Sequence, residues 1–445
     1  MNFSETLTFG GLFEFSPDSK YFAINRSSNL NIYQIKTTEL VFSFPLLDIP
    51  SQILWSPNSE LILAVCQKKN TLQLFSCINR DWNGRIVMSP TGISRVFWTP
   101  DSYHVGVVTD FNLRVSIWNL CDMIVYHIKN PKFEDKGLSF NSDGKFMLLA
   151  ERSECKDYIG IYFTGDWSVV NHFAIDGIDI EDAFWANDTT IIIIDSCVTY
   201  QLLIYSPLGY LVARHRPYDN GLGIKSYSLS ANGVFLSVGS YDQSARIFSK
   251  ISWRFLTEFE HKTEGLNQNV HVYKEEEYKE GFTDEKLYSR FVVQNTPQKL
   301  PSIKVPKDKP NPPIGVGACE WSCNSAYLAT RNGNFYIDNN PNVVWIWKMN
   351  DLSLSTILIE TQNLKNFEWS PKSLHLVFCT GTGRMFFWGS EGASVCEVPL
   401  ESKDFKVNKV KWSPDGSCIF ACDKTRFMIG YPKFDILEAP NENYF

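Results

Sequence analysis

Long hydrophobic runs are missing from this chain, and so is any strong excess of one charge. Its apolar stretches, such as Ile191 to Ile194, are far shorter than the roughly 20 residues that cross a bilayer as a helix. The start, Met1-Asn2-Phe3-Ser4, carries no basic and apolar leader, so the expectation is a chain that does not span a membrane. Forty-two Lys and Arg against 49 Asp and Glu leave a formal net charge of −7. No global field then draws a polyanion to the surface, and nucleic acid is not an expected partner. Histidine is sparse, seven in 445 residues, and shares no common motif. There is no His-Glu-x-x-His, no Gly-x-Ser-x-Gly and no Walker loop. The nearest phosphate-like string, Gly221-Leu222-Gly223-Ile224-Lys225-Ser226, lacks the Gly immediately before Lys and leads into a strand, without the helix N-terminus that binds anions. Gly381-Thr382-Gly383-Arg384 reads as a tight reversal between two strands. Eleven cysteines, odd in number and scattered, suit reduced thiols in the cytoplasm. Cys319/Cys323 and Cys418/Cys422 approach a zinc spacing. On a strand, however, that spacing repeats one face, and no His neighbours them, so they read as core or turn residues. The expectation is a non-enzyme with no cofactor, no metal and no nameable catalytic residue.

What the chain has in abundance is aromatic side chains, 14% of it, with 13 Trp, 19 Tyr and 32 Phe. Flat rings suit pleated sheets. It also has a repeat. An aromatic or Leu, a small residue and a short turn recur at Phe15-Ser16-Pro17-Asp18-Ser19, Trp55-Ser56-Pro57-Asn58-Ser59, Trp98-Thr99-Pro100-Asp101-Ser102, Phe140-Asn141-Ser142-Asp143-Gly144 and Trp185-Ala186-Asn187-Asp188. They return at Leu229-Ser230-Ala231-Asn232-Gly233, Trp321-Ser322-Cys323-Asn324-Ser325, Trp369-Ser370-Pro371-Lys372-Ser373 and Trp412-Ser413-Pro414-Asp415-Gly416. Successive copies lie 40 to 48 residues apart, except for 92 between Leu229 and Trp321. An alternating segment precedes each turn, an apolar strand such as Leu61 to Val65 follows, and a third strand ends on an aromatic, as in Val115-Ser116-Ile117-Trp118. Three such strands and a linking fourth make one blade of an all-β, WD40-type β-propeller. The Gly-His opening of WD repeats is absent, and Ser240-Tyr241-Asp242 comes closest to their Ser-x-Asp corner. Nine copies form one large ring, or seven or eight blades plus extra units, or two smaller propellers. No Gly/Pro/Ser-rich linker divides copies one to six, which favours a single ring of about nine divergent four-stranded blades over residues 1–445. Met1 to Phe9 is expected to close it against the last blade.

The long step marks an insertion over 262–313. Val270-His271-Val272-Tyr273 reads as a strand, Lys274 to Glu280 is charged, and Pro297 to Pro313 is rich in Pro and Lys. The whole reads as an extended surface segment on the face where propellers receive partners. Lys299, Lys304, Lys307 and Lys309 read as a flexible tether, with an acidic surface such as tubulin's tails as the other reading.

Several strings go beyond the general repeat: Met1 to Glu5, Ala150-Glu151-Arg152 with Cys155 to Tyr158, Leu222 to Ser226, Val238 to Asp242, and Val272 to Glu275. Others are Asn311-Pro312 with Ile314-Gly315, Leu328 to Asn332, and Pro341 to Trp347. In these the chain resembles, over nearly its whole length and in the same order, the WD-repeat-containing protein eight family, WD-repeat adaptors of centrosomes and spindle poles. The resemblance implies a non-enzymatic scaffold at the microtubule-organising centre, in the cytoplasm and cytoskeleton. There it would bind a coiled-coil spindle-anchoring partner, tether microtubule minus ends and act in cilium and basal-body assembly, with a minus-end-directed kinesin and tubulin as indirect partners. The insertion differs in composition from the family's. The long loops Glu151 to Tyr158 and Arg331 to Asn342 coincide with shared strings. Glu151, Arg152, Lys156, Asp157, Tyr158, Tyr241, Asp242, Arg331 and Asn332 are therefore candidates for a partner-binding surface, while Arg152 and Arg331 equally suit ties between blades. A competing reading is a ribosome-associated propeller resembling the large rings of some translation-initiation factors.

Overall fold

The run Leu61–Cys66 is buried at nearly every position, and a strand apolar on both faces needs packing on each side. In the computed structural model of the chain, Ile62 and Ala64 face the preceding blade while Leu63 and Val65 face the following one. The structure describes residues 1–88, 92–264, 269–279, 287–294, 299–302, 314–333, 340–399 and 405–433. Nine antiparallel sheets follow in chain order, with inner strands Phe13–Phe15, Gln52–Trp55, Arg95–Trp98, Leu138–Phe140, Ile180–Asn187, Ile224–Leu229, Val316–Trp321, Asn366–Trp369 and Lys409–Trp412. Hydrophobic clusters fill the spaces between them, each drawn from two successive blades. One of these joins Phe22 and Ile24 of blade one to Phe420, Phe427 and Ile429 of blade nine. The propeller is thus one closed ring of nine blades, and the readings with extra units or two propellers fall away. Blade nine has only three strands of its own. Asn2–Phe3 and Leu7–Thr8 supply the fourth by pairing with Arg426–Tyr431.

The repeated string is a latch between blades. Ser16 Oγ donates to Asp18 Oδ1 at 2.7 Å and accepts from Tyr21 N at 2.9 Å. Ser413 repeats this with Asp415 and Cys418. The turn then needs a left-handed residue, and Gly144, Gly233 and Gly416 fill that place at φ of 72°, 69° and 69°. Ser19, Ser59, Ser102 and Ser325 hold the same conformation, at φ of 57°, 63°, 65° and 60°, although a Cβ makes it costly. What offsets the strain crosses the blade boundary. Ser59 Oγ accepts from Asp18 N at 3.0 Å, Ser102 Oγ from Asn58 N at 3.1 Å, Ser325 Oγ from Asn232 N at 3.0 Å, and Ser19 Oγ from Asp415 N at 3.0 Å. The motif tryptophans add a second tie. The indole N–H of Trp55, Trp98, Trp321, Trp369 and Trp412 donates to the carbonyl of Glu14, Leu54, Ser228, Glu320 and Glu368 respectively, each on the preceding blade's inner strand.

In the stretch 262–313, where an extended surface segment is expected, two described parts are ordered strands. His271–Lys279 pairs antiparallel with Leu287–Gln294 and, in parallel, with the outer strand Ser353–Ile359, making blade seven six-stranded. Residues 265–268, 280–286, 295–298 and 303–313, with Lys304, Lys307 and Lys309 among them, lie outside the described residues. The hairpin is held from blade eight. Arg384 donates to Glu277 at 2.7 Å, to Glu397 at 3.1 Å and to the carbonyl of Leu287, and Phe291 packs on Phe378 and Phe386. The strand signal at Val270 to Tyr273 marks its start; its parallel partner, about 80 residues on in sequence, leaves no local trace.

The latch predicts a split between two substitutions. Ser59→Ala keeps the strained backbone and removes the acceptor, costing about 1–2 kcal/mol in urea unfolding. Ser59→Gly removes the acceptor but relaxes the backbone and is expected to cost under about half as much.

Candidate functional site

Strands Phe146–Ser153 and Lys156–Phe163 of blade four are eight residues each, longer than most of their counterparts. They meet in the two-residue turn Glu154-Cys155, both residues left-handed at φ of 49° and 61°, the geometry of a tight hairpin. This lifts Arg152, Glu154, Cys155 and Lys156 into solvent. At its base a charged network joins two blades. Lys132 Nζ, buried, donates to Asp157 Oδ2 at 2.7 Å, Asp179 Oδ1 at 2.6 Å and the Ile180 carbonyl at 2.6 Å. Arg152 Nη1 reaches the same Asp179 oxygen at 2.7 Å from the exposed side. Burial works to raise the Asp179 pKa, but the Lys132 ammonium and the Arg152 guanidinium outweigh it and hold the carboxyl below its ordinary value. Asp195 accepts from Ile178 N at 3.0 Å and Asp179 N at 2.8 Å, fixing the connection that carries Asp179.

Glu151 turns inward. Its Oε1 accepts from Tyr162 Oη at 2.6 Å, its Oε2 lies 3.2 Å from His172 Nε2, and Tyr158 stacks on His172 at 4.9 Å. Burial pushes the Glu151 carboxyl up, and Tyr162 and His172 only partly counter that. Beside the hairpin, Cys155, Lys156, Asp157, Ile175, Ile178 and Ile180 line an open groove, with Ile178 68% exposed. The apolar character continues toward blade three. Asn112 Nδ2 donates to the Lys132 carbonyl at 2.9 Å, and its neighbour Phe111 is 86% exposed in a left-handed conformation.

The other candidates divide differently. Asp242 closes its own turn, accepting from Ser240 Oγ, Ser244 N and, at 2.6 Å, Arg246 Nη2. Arg246 in turn lies over the rings of Tyr200 and Tyr218 of the preceding blade and its connection. Tyr241 is buried under Lys225 Nζ. Arg331 and Asn332 are corrections to the surface reading, because both are fully buried. Arg331 reaches the Leu364 carbonyl at 3.4 Å, which is the tie between blades. Asn332 ends a one-way relay: Trp347 Nε1 to Thr330 Oγ1 at 2.7 Å, Thr330 to His261 Nε2 at 2.7 Å, His261 Nδ1 to Asn332 Oδ1 at 2.5 Å, and Asn332 Nδ2 to Asn340 at 3.2 Å. The direction follows because an indole N–H only donates and an amide oxygen only accepts. His261 stacks on Trp345 at 4.1 Å, and burial lowers its pKa to about 4. The nine candidates thus fall into three groups, on blades four, six and seven, and only the first presents charged side chains to solvent. Sequence reasoning missed Lys132, Asp179 and His172. It also missed His261, which takes the place of the absent Gly-His opening but stands 55 residues before its own inner strand, Val316–Trp321. The cysteine pairs lie within or beside the sheets, Cys319 facing Ser226 and Cys418 and Cys422 buried.

Two outcomes test this geometry. Lys132→Met leaves Asp157 and Asp179 facing each other without their buried cation and is expected to cost about 3 kcal/mol in denaturant unfolding. Arg152→Ala, at a half-exposed pair, is expected to cost under about 1 kcal/mol. His261 is neutral in the fold, whereas the unfolded chain takes up its proton below the ordinary 6.5, so its contribution to stability is lost as pH falls from about 6.5 toward about 4. The stability gap between wild type and His261→Gln should therefore narrow by about 2 kcal/mol between about pH 7 and pH 5, read from thermal or urea unfolding at each pH.

No family model matches the chain. Among solved structures it is similar to the C-terminal WD40 domain of Sif2, with a TM-score of 0.50 at 12% identity, over 97% of this chain and 99% of that one. It is 21% identical to an uncharacterized WD repeat-containing protein of Schizosaccharomyces pombe, over 95% of this chain and 89% of that relative. With the WD repeat-containing protein WRAP73 of Mus musculus it shares 33% identity across 96% of this chain and 95% of the mouse protein. A likeness of that depth, end to end and on a ring of the same repeat class, makes the chain a member of the WRAP73 family of WD-repeat proteins.

Proposed function

We propose that this WD-repeat propeller is an adaptor at the microtubule-organising centre, binding a coiled-coil spindle-anchoring partner and tethering microtubule minus ends through it, with roles in spindle and cilium assembly. Its address is supported by the strings shared with the WD-repeat-containing protein eight family, and a minus-end-directed kinesin and tubulin enter indirectly. The observation that carries the binding mode is the groove beside the blade-four hairpin. An apolar floor of Ile175, Ile178 and Ile180 is rimmed by Lys156, and the exposed Phe111 continues the surface. A stripe of apolar residues on a partner helix, flanked by acidic ones, is the complement of that surface. The residues of the groove walls are set by the buried Lys132 network, so the surface is held before a partner arrives.

The test is a pull-down with Lys156→Glu and Ile178→Asp variants, together with imaging of the tagged chain. Expected are foci at spindle poles and basal bodies for the wild type. The paired variant should lose them while keeping its unfolding midpoint, with at least about tenfold weaker capture of the coiled-coil partner. Undiminished capture rejects the groove, and sedimentation with small ribosomal subunits in place of polar foci favours the ribosomal reading.

A further inference from the structure

The outer rim of blades three to six, on the side of the turns that join third and outer strands, carries large apolar side chains with nothing over them. On blade three these are Met123 and Ile124, and on blade four Val169 and Val170. Blade five adds Leu208, Tyr210 and Val212, and blade six Ile251 and Phe255, with exposures from 48% at Ile124 to 83% at Met123. The four rims form one surface because each turn leans on the blade before it. Trp167 of blade four packs against blade three, Gly209 of blade five sits on the ring of Phe173 of blade four, and Trp253 of blade six packs against blade five. Asn171 also donates to the Pro207 carbonyl across the same boundary, at 2.8 Å. Elsewhere the ring is different. Blade seven's outer strand is covered by the chain's own hairpin, and among the described residues blades eight and nine expose no large hydrophobic side chain.

We infer that this rim is a self-association surface, on which a second copy of the chain docks about a two-fold axis passing between blades four and five. Two observations select a second copy. The exposed apolar area is roughly 1,000 Å², against about 800 Å² per partner in a standard stable interface. The charges in these turns are also polarised along the patch. Asp122 and Asp166 stand at the blade-three and blade-four end, the blade-five turn Pro207-Leu208-Gly209-Tyr210 is uncharged, and Lys250 and Arg254 stand at the blade-six end. A two-fold contact puts each surface against itself reversed, so that residue i meets j and j meets i. It therefore brings the acidic end of one copy onto the basic end of the other, twice. A patch with uniform charge would repel its own copy; this one complements it.

The experiment is sedimentation equilibrium and light scattering on the full chain from about 1 to about 100 µM. The expected result is a species of twice the 51.0 kDa chain mass. Val212→Glu should raise its dissociation constant at least about tenfold. Asp166→Lys and Arg254→Asp should each weaken it, and the two together in one chain should restore it, since both swapped charges then face their opposites again. All three positions are on the surface, and an unchanged unfolding midpoint shows that each variant folds. A monomer at every concentration overturns the proposal and leaves the rim to a different protein. A dimer indifferent to Val212→Glu, or a double charge swap no better than the singles, overturns it as well.

Discussion

Each blade of this ring is a sheet with two apolar faces, and neither can be satisfied from within the blade. The nine clusters between blades are therefore the real cores of the molecule, and a core shared by two neighbours cannot be abandoned by one alone. The contact that all others depend on is the one between blades nine and one, where Phe22 and Ile24 meet Phe420 and Phe427. Without it the ring is an open stack with a bare apolar face at either end. With it every cluster has both halves. The N-terminal strands pin this contact by hydrogen bonds, and the Lys411–Glu14 pair at 2.7 Å and the Ser19 latch repeat it at the inner strands.

Polar groups at the boundaries follow the same logic. The Lys132 network, the Arg246 sandwich and the relay from Trp347 to Asn332 each sit where two blades, or a blade and its connection, meet. Each places an ionic or directional bond on a boundary that hydrophobic packing alone would leave free to slide. The relay also fixes the root of the insertion, since Asn340 Nδ2 donates to the Pro301 carbonyl at 2.6 Å. Buried charge of this kind resists change in one partner more than it adds net stability.

The ring and its blade number were legible because one string does two tasks at once. The hydroxyl of Ser16 or Ser413 must shape its own turn, and the residue three places on must be small or left-handed to reach the neighbour, so the pattern survives divergence in the strands around it. The blade-four hairpin was legible for a similar reason, a long loop read correctly as exposed at Arg152 and Lys156. Arg331 and Asn332 were not, because in a loop-rich stretch the sequence carries no sign of depth; a guanidinium aimed at a carbonyl 33 residues away in the chain looks the same as one aimed at water. The hairpin of blade seven lay hidden in a stretch whose charge and proline content resemble a tether. His261 was hidden by the same insertion, which separates it from the strands that use it.

Closure by the N-terminal strand has a consequence for how the chain comes into being. Asn2–Phe3 waits for Gly430–Tyr431, more than 400 residues later, so during synthesis the first segment to leave the ribosome is the last to find its place. Blades one to eight can stack in order as they emerge, but the growing arc exposes the apolar face of blade one throughout. The finished ring is thus a state the nascent chain reaches only after translation is nearly complete, and until then Phe22 and Ile24 are surfaces for chaperones to guard.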